Sequence, residues 1–90
     1  MTIAMMVDNP QGSQQIYEQV REKAGLVRPG GGIVHIAGPS PNGGWRVIEL
    51  FETTEDAQRF LGERIGPAFR AVGAAGPPLP QFWPVHSYLI

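Results

Sequence analysis

Trp45-Arg46-Val47-Ile48-Glu49-Leu50-Phe51-Glu52-Thr53-Thr54-Glu55-Asp56-Ala57 is the stretch on which the fold turns, because it passes from strand character to helix character in thirteen residues. Trp45 to Phe51 is short and mostly apolar, as a strand returning from a turn should be. Glu52 to Asp56 then carries both marks of a helix start, a threonine cap and acidic side chains near the positive end of the dipole. Ala57, Phe60, Leu61, Arg64, Ile65 and Ala68 follow at three- and four-residue spacing, with the stem of Arg64 along the apolar edge. Gly66-Pro67 predicts a kink or restart, since proline removes a backbone donor, and Phe69 and Val72 continue the apolar side to Gly73.

Upstream of this passage, Pro39 to Gly44 concentrates the residues that tight turns require, so Ile33 to Ala37 reads as the strand that pairs with Trp45 to Phe51. Arg28 to Gly32 is a loop. Before it, Ile16, Tyr17, Val20 and Ala24 recur at helical spacing behind a Ser13 cap, and Gly25 can stop that helix. Ile3 to Val7 is a continuous apolar run ended by Asp8-Asn9-Pro10, which makes it a first strand. Downstream, Ala74 to Pro80 reads as an extended linker, and Phe82 to Ile90 as a last strand interrupted early by Pro84, which belongs at a sheet edge. The order strand, helix, strand, strand, helix, strand implies a single α+β domain over residues 1–90, ferredoxin-like β-α-β-β-α-β, with a four-stranded antiparallel sheet and both helices on one face.

That arrangement leaves the second sheet face bare, and the strands do not alternate as a wetted face would require. Ile3 to Val7 has no polar residue at either parity, and Val47 to Phe51 has one. At 90 residues with no cysteine, the chain has one modest core and no disulfide or thiolate site to strengthen it. A homodimer packed sheet against sheet, a dimeric α/β barrel, is the expected answer; a domain swap, another partner, or a monomer with an apolar patch are the alternatives.

Seven Lys plus Arg against eight Asp plus Glu leave a formal charge of −1. The positives are scattered from Arg21 to Arg70, which argues against a nucleic-acid surface. The apolar N-terminal run lacks a basic leader and meets Asp8 too early for a membrane span, so a soluble, cytoplasmic protein is expected. No GxxxxGK[ST], HExxH or GxSxG motif occurs, and Gly30-Gly31-Gly32 precedes a strand rather than a helix, so it lacks the helix N-terminus of a phosphate cradle. Two histidines, His35 and His86, stand far apart, and no metal site is expected.

His35, Arg46, Glu49, His86 and Tyr88 are the few polar side chains inside the predicted strands. Histidine moves protons near neutral pH, which makes His35 and His86 candidate catalytic groups; the alternative is half-buried histidines with satisfied hydrogen bonds. Glu49, the one charge in an apolar strand, is a third candidate, with pairing to Arg46, Arg59 or Arg64 as its alternative. A symmetric six-residue hairpin loop would place His35 with Arg46 and Ile48, opposite the face of Glu49. Tyr17, Phe51, Phe60, Phe69 and Trp83, with Tyr88, are candidates for an aromatic pocket around a flat ligand, or simply core.

The stretch from Val47 to Ala57, running into Phe60, resembles the strand-to-helix passage of the antibiotic biosynthesis monooxygenase family, the dimeric α/β-barrel proteins, and the order of elements agrees over nearly the whole chain. The resemblance implies a ligand cavity between sheet and helices, bordered by the aromatic at Phe51, where tryptophan is more common. It implies cofactor-independent oxygenation or cyclisation of an aromatic or polyketide-like substrate, or else a non-catalytic small-molecule-binding or stress-responsive barrel. Haem-degrading members use a histidine on the second helix and an asparagine in the first strand. This chain has no histidine between Thr53 and Gly73 and offers Met5 and Met6 in that strand, with Asn9 only at its end, so no haem and no other tightly held cofactor is expected.

Overall fold

The computed structural model describes residues 1–76 and 78–90. Its elements are β1 (Ile3–Asn9), α1 (Gln14–Ala24), β2 (Gly32–Pro39), β3 (Trp45–Phe51), α2 (Thr54–Phe60), a π-helical turn (Leu61–Ile65), α3 (Gly66–Ala71) and β4 (Gln81–Pro84). The strands form one sheet in the order β2-β3-β1-β4, every neighbouring pair antiparallel. Each helical crossover thus joins two parallel strands with a third lying between them, the split β-α-β arrangement the element order implied.

Local chemistry sets the boundaries. Ser13 Oγ accepts a hydrogen bond from the Ile16 N–H at 3.2 Å, and α1 ends at Gly25, whose φ of 91° a side chain would disfavour. Thr53 Oγ1 accepts from the Asp56 N–H at 3.1 Å and donates to the Asp56 carboxylate at 2.9 Å, a reciprocal cap that starts α2. The kink expected at Gly66-Pro67 takes the form of the π turn. The Gly66 N–H reaches back five residues to Leu61 O, and this wider turn precedes a proline that cannot donate to the ladder.

Two expectations need correction. The last strand stops at Pro84, and Val85 to Ile90 runs on without strand pairing apart from the Val85 N–H bond to Thr2 O at 3.0 Å. The apolar composition of the tail suggested a strand, but a proline at its fourth position ended the ladder. The linker from Ala74 to Pro80 leads into β4 as expected, with Pro77 outside the described residues. The hairpin loop holds five residues, Ser40 to Gly44, rather than six, because Pro39 still pairs with Trp45. Gly43 and Gly44 supply the left-handed conformations, φ 95° and 82°, that close it. The one-residue difference moves His35 from Ile48 to Glu49, reversing the expected grouping.

Under the helices the register gives the rows Gly32–Phe51–Ile3–Pro84, His35–Glu49–Met5–Phe82, Ala37–Val47–Val7 and Pro39–Trp45–Asn9. The core gathers at the Phe51 end, where Met5, Phe51, Ala57 and Phe60 are buried together and Ile3, Leu61 and Ile65 pack against them. The Phe51 and Phe60 rings lie 5.7 Å apart at 44°, a tilted geometry favourable for aromatic pairs.

The other sheet face carries the rows Val34–Leu50–Ala4–Trp83 and Ile36–Ile48–Met6–Gln81, ending in Arg46 opposite Asp8. Among the described residues no helix covers it, and Ile36 and Trp83 are 55% and 41% exposed. Arg46 grips the Asp8 carboxylate through Nε at 3.1 Å and Nη2 at 2.6 Å, and this hydrogen bonding holds the Asp8 carboxyl below its usual range. Among the described residues no helix is long and apolar enough to cross a membrane.

Candidate active site

Beside this core, the helices and the sheet separate around an open cavity of about 380 Å³. Met5, Val7, Val47 and Phe51 form its floor, Ile16, Tyr17 and Val20 of α1 one wall, and Phe60, Leu61, Ile65 and Phe69 the other. The lining is mostly apolar, as in pockets that bury flat organic ligands. Three polar side chains interrupt it in a connected line.

The line begins at Glu49, 5% exposed, in the middle of β3. Its Oε1 lies 2.6 Å from Nδ1 of His35, directly across the ladder on β2. The other ring nitrogen, Nε2, lies 2.5 Å from the hydroxyl of Tyr17, which projects from the second turn of α1. With Glu49 ionised, Nδ1 must carry a hydrogen to donate to the carboxylate, which leaves Nε2 as the acceptor of the Tyr17 O–H. The carboxylate thus fixes the imidazole tautomer, and the imidazole aims the phenol. Burial is the largest influence on Tyr17 and raises its pKa; the Arg21 charge opposes it and the Glu49 charge adds to it. Tyr17 therefore stays an O–H donor, and loss of its proton requires an acceptor such as Nε2.

Aromatic packing holds the line in place. The Tyr17 and His35 rings stack at 5.9 Å and 21°, and Tyr17 tilts against Trp45 at 5.5 Å and 35°. Trp45 itself borders the cavity, and its indole Nε1–H is buried without a hydrogen-bond partner, an unmet donor.

The structure brings His35, Glu49, Tyr17, Phe51, Phe60 and Phe69 to this one cavity. Trp83 lies opposite Ala4 on the other sheet face, because one residue of strand separates it from the parity of Phe82. His86 and Tyr88 follow the end of β4 in the exposed tail. Glu49 takes none of the arginines considered for it. Arg46 pairs with Asp8, Arg59 reaches Asp56 at 3.1 Å, and Arg64 donates to the carbonyls of Ala24, Gly25 and Val27 at 2.8 to 2.9 Å. That last set caps the C-terminal end of α1 while the guanidinium lies 5.1 Å from the centre of the Phe60 ring.

Trp45 was missing from the sequence-derived pocket, although strand alternation carries its signal. Residues 45, 47, 49 and 51 share a face, so any argument that puts Phe51 in a cavity puts Trp45 there too. The part played by Arg64 in tying down the loop after α1 had no sequence signal, because its partners are backbone oxygens about forty positions away.

Neither the protein-family models nor the curated proteins contain a match to this chain. A solved structure from Chloroflexus aurantiacus J-10-fl, provisionally designated an antibiotic biosynthesis monooxygenase, aligns over 100% of this chain and 99% of its own with a TM-score of 0.66. Its sequence identity of 12% makes this a likeness of fold. The chain has the ferredoxin-like α+β fold of that structure, as the order of its elements implied.

Proposed function

We propose that the protein is a small-molecule enzyme that binds an aromatic or polyketide-like substrate between its sheet and helices and carries out oxygenation or cyclisation without a tightly held cofactor. The observation that carries this reading is the Tyr17–His35–Glu49 line at the cavity, since an ordinary ligand pocket has no need of a histidine bonded at both nitrogens. Oxygenation of an activated ring methylene begins with loss of a C–H proton, and the carbanion then reduces dioxygen. One oxygen atom enters the product as a carbonyl and the other leaves as water. An aldol-type ring closure needs the same first step and no oxidant. In both, His35 Nε2 accepts a proton through Tyr17, and Glu49 stabilises the imidazolium that forms. Catalysis here is assigned to His35, Glu49 and Tyr17; His86 stands in the exposed tail and is not among the lining residues.

The second apolar sheet face supports a homodimer packed back to back, the two faces being self-complementary about a two-fold axis. The test of function is oxygen uptake and product analysis with anthrones and phenolic polyketide analogues. Turnover that falls at least a hundredfold in Tyr17→Phe and His35→Ala is expected. Tight binding of the same compounds with no turnover in the wild type would replace the enzyme by the non-catalytic binding protein.

A further inference from the structure

The cavity's charge is at odds with the charge of the chain. The protein as a whole is slightly acidic, yet three of its seven cations and one of its eight acids border the cavity: Arg21, Arg28 and Arg64 against Glu49. Glu49 is engaged by His35. Arg64 is held by three backbone carbonyls. Arg21 and Arg28 remain, on the last turns of α1 and on the loop that follows it, and neither has a carboxylate partner among the described residues.

A basic helix end alone would answer to the helix dipole, and Lys23 serves that role equally well. Lys23 does not border the cavity, whereas Arg21 does, one turn beyond Tyr17, and its charge acts on the Tyr17 hydroxyl. Arg21 and Arg28 are thus exposed cations at the border of the cavity, while the floor of Met5, Val7, Val47 and Phe51 is apolar.

Resting on the reading of this cavity as an aromatic-ligand site, we infer that its ligand is an aromatic acid, with the ring system seated over Met5, Val47 and Phe51 and a carboxylate held at the rim by Arg21 and Arg28. A planar guanidinium matches a carboxylate through paired N–H donors. A phosphate ester is the less suitable anion, because phosphate sites draw on convergent backbone N–H groups. Of the glycine run, Gly32 borders the cavity, and its N–H is already bonded to Pro29 O at 2.9 Å.

Calorimetric titration of the full chain at pH 7 and low salt with 2-naphthoate, its neutral isostere 2-naphthamide and 2-naphthyl phosphate tests the assignment. Naphthoate is expected to bind about tenfold more tightly than the amide, as two partly exposed ion pairs allow. The double variant Arg21→Gln/Arg28→Gln should abolish that preference and leave amide binding unchanged, while Arg59→Gln, outside the cavity, should alter neither. Added salt should narrow the preference in the wild type, a readout that needs no variant. Equal binding of acid and amide overturns the carboxylate assignment and leaves the aromatic site standing. The same loss in Arg59→Gln overturns it as a general charge effect, and tighter binding of the phosphate overturns it in favour of a phosphorylated ligand. Failure of all three compounds to bind removes the aromatic-site reading and this inference together.

Discussion

Replacing Glu49 by glutamine alters charge and hydrogen-bonding capacity at almost constant shape, which isolates what the carboxylate does for His35. The wild-type carboxylate can only accept, so it selects the Nδ1–H tautomer. A glutamine side chain can also donate to Nδ1 through its amide and so release Nε2 to carry the hydrogen, in which state the imidazole cannot accept from Tyr17. A charge-assisted bond contributes about 1.5–3 kcal/mol and a neutral replacement about 0.5–1.5, so the net loss of stability is about 1 kcal/mol. Relief of the cost of burying a charge in a residue only 5% exposed reduces that loss further. In a domain of this size, 1 kcal/mol lowers the Tm by about 4–8 °C. The rate should suffer more, by about 10²–10⁴-fold, equivalent to about 3–5 kcal/mol of barrier, since that is the contribution of a correctly protonated acid–base group. Nitrogen-15 chemical shifts of the imidazole report the tautomer directly, and oxygen uptake under substrate excess reports the rate. A variant that moves its hydrogen to Nε2 yet keeps wild-type turnover would refute the proton line as the catalytic device, and an unmoved hydrogen would refute the account of how Glu49 acts.

Three further outcomes follow from the same geometry. Because burial raises the Tyr17 pKa in the folded chain, the contribution of its protonated form is complete below the ordinary value of 10.0 and is lost as pH rises through the higher folded value; urea titrations from pH 9 upward should show wild-type stability falling faster than that of Tyr17→Phe. Phe51→Ala removes a side chain with 0% exposure from the centre of the core and should cost about 3–5 kcal/mol by chemical denaturation, enough to leave the domain marginal. Ile36→Lys on the uncovered sheet face should convert a dimer to a monomer in sedimentation equilibrium, and a wild-type protein that sediments as a monomer at micromolar concentration argues against the back-to-back assembly.

Periodicity and capping were enough to order the elements, because each is a local property of a few neighbouring residues. Ser13 caps the first helix as expected, Thr53 proves to be the threonine that caps the second, and Trp45 to Phe51 is a strand over the expected span. The tail is the instructive failure at this level: Val85 to Ile90 has strand-like composition, yet exposed Leu89 and Ile90 lie beyond the ladder that Pro84 closes. Candidate residues were legible as types, since His35 and Glu49 were singled out as polar groups in apolar strands and Tyr17 as a pocket aromatic, but their connection was not.

What joined them was register and layer packing. One residue more or less in the loop from Ser40 to Gly44 decides whether His35 faces Glu49 or Ile48, and the sum of turn geometry and cross-strand packing that chooses between them is not written in any local pattern. Tyr17 meets His35 because α1 crosses that sheet face and not the other, a consequence of crossover handedness and of the whole core settling at the Phe51 end. By itself the chain's sequence determined which segments become strands and helices; only tertiary structure decided which side chains share a cavity, because proximity across a sheet depends on distances between segments that no window of neighbouring residues contains.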